Sequence, residues 1–255
     1  MVIIKSKKEI EAMREGGKKL AEIMQQIEKA IFPGQNTEML DKLAERLVFA
    51  NGGEAVFKNF GKESGNPYPG NICASINSEI VHGIPDKNKK IQKGDIIKID
   101  IGMRYKGLVT DMARTFLVEP VAPEAKKLVE TTEQSFWEGV KKIKAGAGLC
   151  EYSRAVQKFV ESRGFSVVRN LVGHGVGREL HEDPYVPNYY AKRDPDLRLK
   201  EGMTLALEPM VNAGSFYTVL EKNGWVFKTK DGKLSAHYEN TIVVTKDGAE
   251  VLTVF

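Results

Sequence analysis

Residues 93–118, KGDIIKIDIGMRYKGLVTDMARTFLV, place two aspartates, Asp100 and Asp111, inside a run that otherwise has the composition of a β-hairpin. Ile96, Ile97, Ile99 and Ile101 precede a turn over Arg104 to Gly107, and Val109, Phe116, Leu117 and Val118 follow it, the β-formers that a half-buried hairpin requires. Pairing about that turn predicts Asp100 and Asp111 opposite each other on one face, because side chains alternate with a period of two. Like charges so placed repel. A divalent cation between them removes the repulsion, and carboxylate oxygens are ligands that such cations accept. Two exposed aspartates on an edge hairpin would produce the same local pattern, so the decision falls to the rest of the chain.

A second copy supplies it. Glu201-Gly202-Met203-Thr204-Leu205-Ala206-Leu207-Glu208 repeats Lys93-Gly94-Asp95-Ile96-Ile97-Lys98-Ile99-Asp100, with a glycine six residues before a carboxylate at a strand end. The return strand recurs as well: Asp111 opens one apolar β run and Glu239 opens Glu239-Asn240-Thr241-Ile242-Val243-Val244. Upstream of each hairpin lie two helical segments. Ser6 with Glu9 has capping-box spacing before Ile10, Met13, Leu20, Ile23 and Ile27, predicting a helix from Lys7 to about Ile31. Thr37 and Glu38 open a second, which Gly52-Gly53 ends. Gly146 and Gly164 flank a helix matching the one between Gly34 and Gly52, and Pro123 to Lys142 matches the first long helix. The expected class is therefore α+β. Two helix-helix-hairpin halves, residues 7–118 and 123–250, form one pseudo-symmetric domain over 1–255, with antiparallel sheets joined at the centre. Carboxylates from both halves meet there, and two dications would offset their four negative charges.

The chain has 255 residues, 42% hydrophobic and 28% charged, with a formal net charge of +4, enough for a large core and without the concentrated basic face of a dedicated nucleic-acid binder. Cys73 and Cys150 are too few for a disulfide framework. The N-terminus alternates charged with apolar residues, unlike a signal peptide, and no stretch approaches the roughly 20 apolar residues of a membrane span. A cytoplasmic protein is expected.

Of four histidines, His82 lies in SINSEIVHGIP (75–85), His174 and His181 in GHGVGRELHEDP (173–184), and His237 two residues before Glu239. A lone histidine is more often structural, but four beside carboxylate motifs point to a site. The glycines at 173, 175 and 177 are not a phosphate loop: Glu179, Glu182 and Asp183 would repel an anion, and no Walker lysine follows. They give room for backbone beside a metal centre.

Together PGNICASINSEIVHGIP (69–85), KGDIIKID (93–100), Thr110-Asp111, GHGVGRELHEDP (173–184), EGMTLALEP (201–209) and SAHYENTIVVT (235–245) closely resemble the motifs of type I methionine aminopeptidases of the bacterial type. These are short members of the pita-bread metallopeptidases, and the resemblance spans nearly the whole chain. It implies a pita-bread fold and removal of the N-terminal methionine of nascent polypeptides by attack of a metal-bound hydroxide. It implies Asp100, Asp111, His174, Glu208 and Glu239 as ligands of two divalent ions, with Asp111 and Glu239 bridging. It also implies Glu208 as proton shuttle, His181 as donor to the developing oxyanion, His82 against the neighbouring amide, and Tyr68, Cys73 and Trp225 as pocket wall. Cys73 has the alternative reading of inert core, and so does Trp225.

His237, Tyr238, Glu239 and Asn240 stand where the family has Gln, aromatic, Glu and His, Leu180 where many members carry Phe, and the loop at 61–67 is irregular. A titratable His237 beside Glu239 is expected to become protonated below about pH 6.5 and weaken metal retention. Four carboxylates and one imidazole suit Mn, Fe, Co or Zn without selecting among them. A sister Xaa-Pro dipeptidase or aminopeptidase and an inactive pita-bread binding protein are the competing functions. Lys222, Lys228, Lys230 and Lys233 read as a solvated hairpin, with transient ribosome contact as the alternative. No membrane or DNA partner is expected, and a monomer is.

Overall fold

The computed structural model describes residues 2–192 and 196–254. Helix α1 (Lys7–Glu28) starts on the expected capping box, the Ser6 hydroxyl taking the Glu9 amide and the Glu9 carboxylate taking the Ser6 amide, but it stops one turn short of Ile31. Helix α2 (Thr37–Ala50) is capped by Asn36, whose side chain accepts from the Met39 amide. After β1 (Glu54–Ala55), β2 (Cys73–Ile76) and β3 (Glu79–Val81) come the long strands β4 (Ile96–Tyr105) and β5 (Leu108–Leu117). The second half opens with α3 (Pro123–Val140) and α4 (Leu149–Ser162), followed by β6 (Ser166–Val167), β7 (Gly173–Gly175), β8 (Glu182–Val186) and β9 (Thr204–Leu207). It continues through β10 (Met210–Asn212), β11 (Thr218–Leu220), β12 (Phe227–Thr229), β13 (Ser235–His237), β14 (Glu239–Val244) and β15 (Ala249–Val251).

The main sheet runs β1-β4-β5-β14-β9-β7-β8, so the halves meet where β5 pairs with β14. Each pair of helices covers its own half. Leu20, Ile23, Ile27 and Leu40 pack with Ile97, Ile99 and Ile101, and Leu128, Phe136, Tyr152 and Val156 with Leu205, Leu207 and Ile242. Both central strands are therefore largely buried on both faces, where a half-buried hairpin was expected. The second half also departs from a simple hairpin: β9 and β14 pair antiparallel, but β10 to β13 intervene between them.

The first-half hairpin differs from expectation by its register. Its loop is only Lys106 and Gly107, both with positive φ (50° and 81°), and Tyr105 pairs with Leu108. Two consecutive left-handed residues match the twist of the flanking strands, and they place the centre of the turn one residue later than Arg104 to Gly107 implied. Asp100 consequently pairs with Ala113, and Asp111 with Gly102. The aspartates are diagonal neighbours on one face and not directly opposite. Asp100 also sits in the middle of β4, not at a strand end.

A candidate dimetal site at the seam

The pairing registers decide which side chains share a face. Cys73 pairs with Asp100, Asp100 with Ala113, and Ala113 with Glu239, so these four lie in one row across β2, β4, β5 and β14. Asp111 is two residues from Ala113 and keeps its side. Two residues beyond Glu239, Thr241 pairs with Ala206, which pairs in turn with His174. Glu208 follows Ala206 by two and closes the set. Asp100, Asp111, His174, Glu208 and Glu239 thus converge on one face from both halves, and small Ala113 and Ala206 between them leave room.

Asp111, His174, Glu208 and Glu239 are buried and Asp100 is half-buried. Asp100 Oδ1, Asp111 Oδ1 and Glu239 Oε1 are buried without a hydrogen-bond partner. Burial, reinforced by the neighbouring carboxylates, pushes Asp100, Glu208 and Glu239 well above the ordinary carboxylate range, and burial raises Asp111 as well. Burial lowers His174 to about 3, so its ring is neutral, the form that binds metals. Ligand atoms of Asp111, His174 and Glu239 lie within 4.8 Å of one another, and so do those of Asp100, His237 and Glu239. Orphaned carboxylate oxygens beside neutral imidazoles are a donor set that fits divalent cations.

Outer contacts brace this set. Thr241 Oγ1 accepts the Asp111 amide at 2.8 Å and donates to its carbonyl at 2.9 Å. Arg114 donates to the Glu239 carbonyl at 2.6 Å and to Asn240 Oδ1 at 2.7 Å, with its guanidinium 4.2 Å from the Tyr238 ring. Asn188, held by the Tyr152 hydroxyl, donates to the Glu208 carbonyl at 3.0 Å. The glycines flanking His174 are required by close backbone approach: a Cβ would lie 2.4 Å from Ala206 O at Gly173 and 2.1 Å from Asp183 O at Gly175.

These five side chains floor a cleft of about 390 Å³. Its apolar side includes Tyr68, Cys73 and Trp225, together with Phe57, Phe60 and Leu180, which sequence reading did not place there as a group. Tyr68 and Trp225 meet edge to face at 5.2 Å, and the Tyr68 hydroxyl lies 3.1 Å from the Ile72 carbonyl and 3.0 Å from that of Gly83. Burial raises the Cys73 thiol well above its usual pKa, which leaves it as wall and not nucleophile. The irregular 61–67 loop leans on the Trp225 turn, Asn66 donating to the Asn223 carbonyl at 3.1 Å. Of the four lysines, Lys222 and Lys228 lie in the β11–β12 hairpin, where Lys228 is paired with Glu221, and Lys230 and Lys233 follow it.

His82, in a left-handed conformation (φ 58°), and His181 both line the cleft. Burial lowers His82 to about 4. His181 is solvent-exposed at the rim, but its ring sits between Phe60 at 4.9 Å and His174 at 4.3 Å, and its pKa is lowered too. His237 corrects the expectation of protonation near pH 6.5: its side chain is 1% exposed, and burial lowers its pKa to about 3. Its place among the candidate ligands was also missed, although its spacing of two from Glu239 was the available signal.

The model of metallopeptidase family M24 matches residues 11–246. A methionine aminopeptidase of Clostridium acetobutylicum is 44% identical over 254 residues, 99% of each chain. The solved methionine aminopeptidase of Thermotoga maritima is 40% identical and superimposes with a TM-score of 0.95 over 100% of both chains. An Xaa-Pro dipeptidase of Bacillus anthracis, 24% identical with a TM-score of 0.78, shares the fold; the match covers 98% of this chain and 61% of that one.

Proposed function

The chain belongs to metallopeptidase family M24, and within it we propose that the protein is a methionine aminopeptidase, removing the N-terminal methionine from nascent polypeptides. One observation carries the assignment: a five-residue carboxylate and imidazole set lies on one face of the sheet at the foot of an apolar cleft. The whole-length likeness to methionine aminopeptidases favours this activity over the Xaa-Pro enzymes, whose likeness extends to the fold.

Asp100, Asp111, His174, Glu208 and Glu239 would hold two divalent cations, and Mn, Fe, Co or Zn all suit the donors. When bound, such ions supply Lewis acidity and lower the pKa of water. Tyr68, Cys73 and Trp225 bury the methionine side chain and orient the substrate's first peptide bond above the carboxylates. Glu208 carries a proton between the attacking water and the leaving amine; its two oxygens lie 3.5 Å from His174 Nε2 and 3.5 Å from His237 Nε2. His181, at the rim, donates to the carbonyl oxygen as charge develops, and His82, neutral above about pH 5 by its lowered pKa, meets the following amide.

No helix among the described residues is long and apolar enough to cross a membrane. The expected place of action is the cytoplasm, on the emerging N-termini of new chains. Lys222, Lys228, Lys230 and Lys233 read as a solvated hairpin, and co-sedimentation with ribosomes at two salt concentrations tests the alternative, transient ribosome contact. The assignment itself is tested by reconstituting the protein with each metal and comparing methionine release from Met-Ala-Ser with hydrolysis of an Xaa-Pro dipeptide. Methionine release with an inert Xaa-Pro substrate is expected; the reverse pattern would replace the assignment.

A further inference from the structure

Each oxygen of Glu208 faces a different imidazole. Oε1 is 3.5 Å from His174 Nε2, and Oε2 is 3.5 Å from His237 Nε2, which is also 3.8 Å from Glu239 Oε2. The His237 side chain is 1% exposed, and neither ring nitrogen has a hydrogen-bond partner. Leaving two buried polar atoms unpaired is costly, so a ring in this position calls for something to bind.

The separations say what. A nitrogen–oxygen hydrogen bond spans about 2.7–3.2 Å, shorter than either distance from His237. Two donors on one first-row cation, each about 2.0–2.2 Å from it, lie roughly 3–3.5 Å apart when their bonds meet at 90–110°. His237 lies 3.5 Å from Glu208, at the end of that range and equal to the contact of His174 with Glu208, and 3.8 Å from Glu239, just beyond it. Asp100 completes the group on this side, with ligand atoms of Asp100, His237 and Glu239 within 4.8 Å of one another, while Asp111, His174 and Glu239 form the equivalent group on the other. Glu239 belongs to both.

We propose that His237 is a sixth protein ligand of the metal centre, so that each of the two ions shared by Glu239 has an imidazole of its own, His174 for one and His237 for the other. The proposal rests on the reading of this cluster as a two-metal centre. The backbone is suited to holding the ring in place, since Thr115 Oγ1 donates to the His237 carbonyl at 2.8 Å and accepts its amide at 2.9 Å. Imidazole in place of a neutral oxygen donor gives the second ion a stronger-field, nitrogen-containing shell, which favours the later first-row metals.

The test is proton NMR of the full chain reconstituted with cobalt(II). Each cobalt-bound imidazole contributes one far-shifted ring N–H signal that disappears in deuterium oxide. Two such signals are expected in the parent and one in His237→Gln. One signal in the parent, at two cobalt ions per chain, overturns the proposal and leaves the two-metal reading intact; a parent that retains no cobalt overturns that reading itself. Should His237→Gln fail to fold, ring-selective ¹⁵N labelling of the four histidines in the parent gives the count directly.

Discussion

Asp111 pairs across the β4–β5 hairpin with Gly102, and Gly102 is what leaves its carboxylate free to reach the seam. A Cβ at position 102 would lie 2.7 Å from Val56 Cγ2, 2.9 Å from Phe57 Cε1 and 3.4 Å from Asp111 Oδ1. The absent side chain therefore does two things at once: it admits the cleft wall of Phe57, and it spares Asp111 a crowding neighbour.

Gly102→Ala is expected to tilt Asp111 away from the other carboxylates while the sheet survives, since overpacking a buried site costs typically about 1–3 kcal/mol. Metal retention should fall about 10- to 100-fold, the range seen when ligand orientation is disturbed. Equilibrium dialysis against a metal buffer measures it. Retention equal to the parent would mean that Asp111 tolerates the contact.

Asp111→Asn removes one of the four converging carboxylates without changing shape. Removing the charge makes the metal-free fold no less stable, because burial already disfavours the ionised form there. Its cost appears only with metal present. Binding stabilises a folded state by about 2.7 kcal/mol at a concentration 100 times the Kd, so the parent's Tm should rise on metal addition and the variant's rise should be much smaller. Activity within a factor of about two of the parent at saturating metal would contradict Asp111 as a metal ligand.

How legible these positions were depended on the distance over which each is determined. The identity of β4 and β5 and the helix starts were readable, because periodicity and caps are local. The hairpin register was not, because it turned on whether Lys106 accepts a left-handed conformation, which its side chain does not announce. The five candidate ligands could be named from motifs. That they share a face followed only from the β5–β14 and β7–β9 pairings, which join residues about 130 and 30 positions apart. His237 was misjudged for a related reason: its pKa is set by complete burial between halves that are distant in sequence.

Trp225→Ala opens one side of the cleft. Trp225 meets Tyr68 at 5.2 Å and His82 at 6.2 Å, and it is the aromatic wall contributed by the β11–β12 hairpin. Its loss should lower kcat/KM for Met-Gly-Met more than for Leu-Gly-Met, shrinking the preference for methionine by about 10-fold, as expected when one to two kcal/mol of pocket contact is removed. Met-Leu-Met should stay poor in both proteins, because the neighbouring subsite is untouched. An unchanged Met-to-Leu ratio would make Trp225 plain core.

The last expectation concerns a residue far from the cleft in sequence. Lys5 and Glu182 form a buried ion pair with side chains 1% and 4% exposed, and Glu182 adjoins His181. Glu182 Oε1 also accepts the amides of Arg178 at 2.6 Å and Glu179 at 3.0 Å, so the carboxylate ties the 177–182 loop together and Lys5 ties it to the N-terminal segment. That segment is anchored in turn at the start of β9 by the Lys5 amide on the Gly202 carbonyl. The nearby Arg178–Glu9 pair is far more exposed and contributes little. Lys5→Met leaves Glu182 buried beside an apolar chain, and breaking such a pair costs about 3–5 kcal/mol, which lowers Tm. If the pair also fixes His181, kcat should fall about 10-fold with KM little changed, less than the roughly 100-fold that a 1 Å misplacement can cost. A double-mutant cycle separates the two effects: in a His181→Ala background Lys5→Met should cost nothing further in kcat, because the ring it positions is gone. Arg178→Ala serves as the control and should match the parent. Equal losses of kcat with and without His181 would mean that Lys5 stabilises the fold and does not position the histidine.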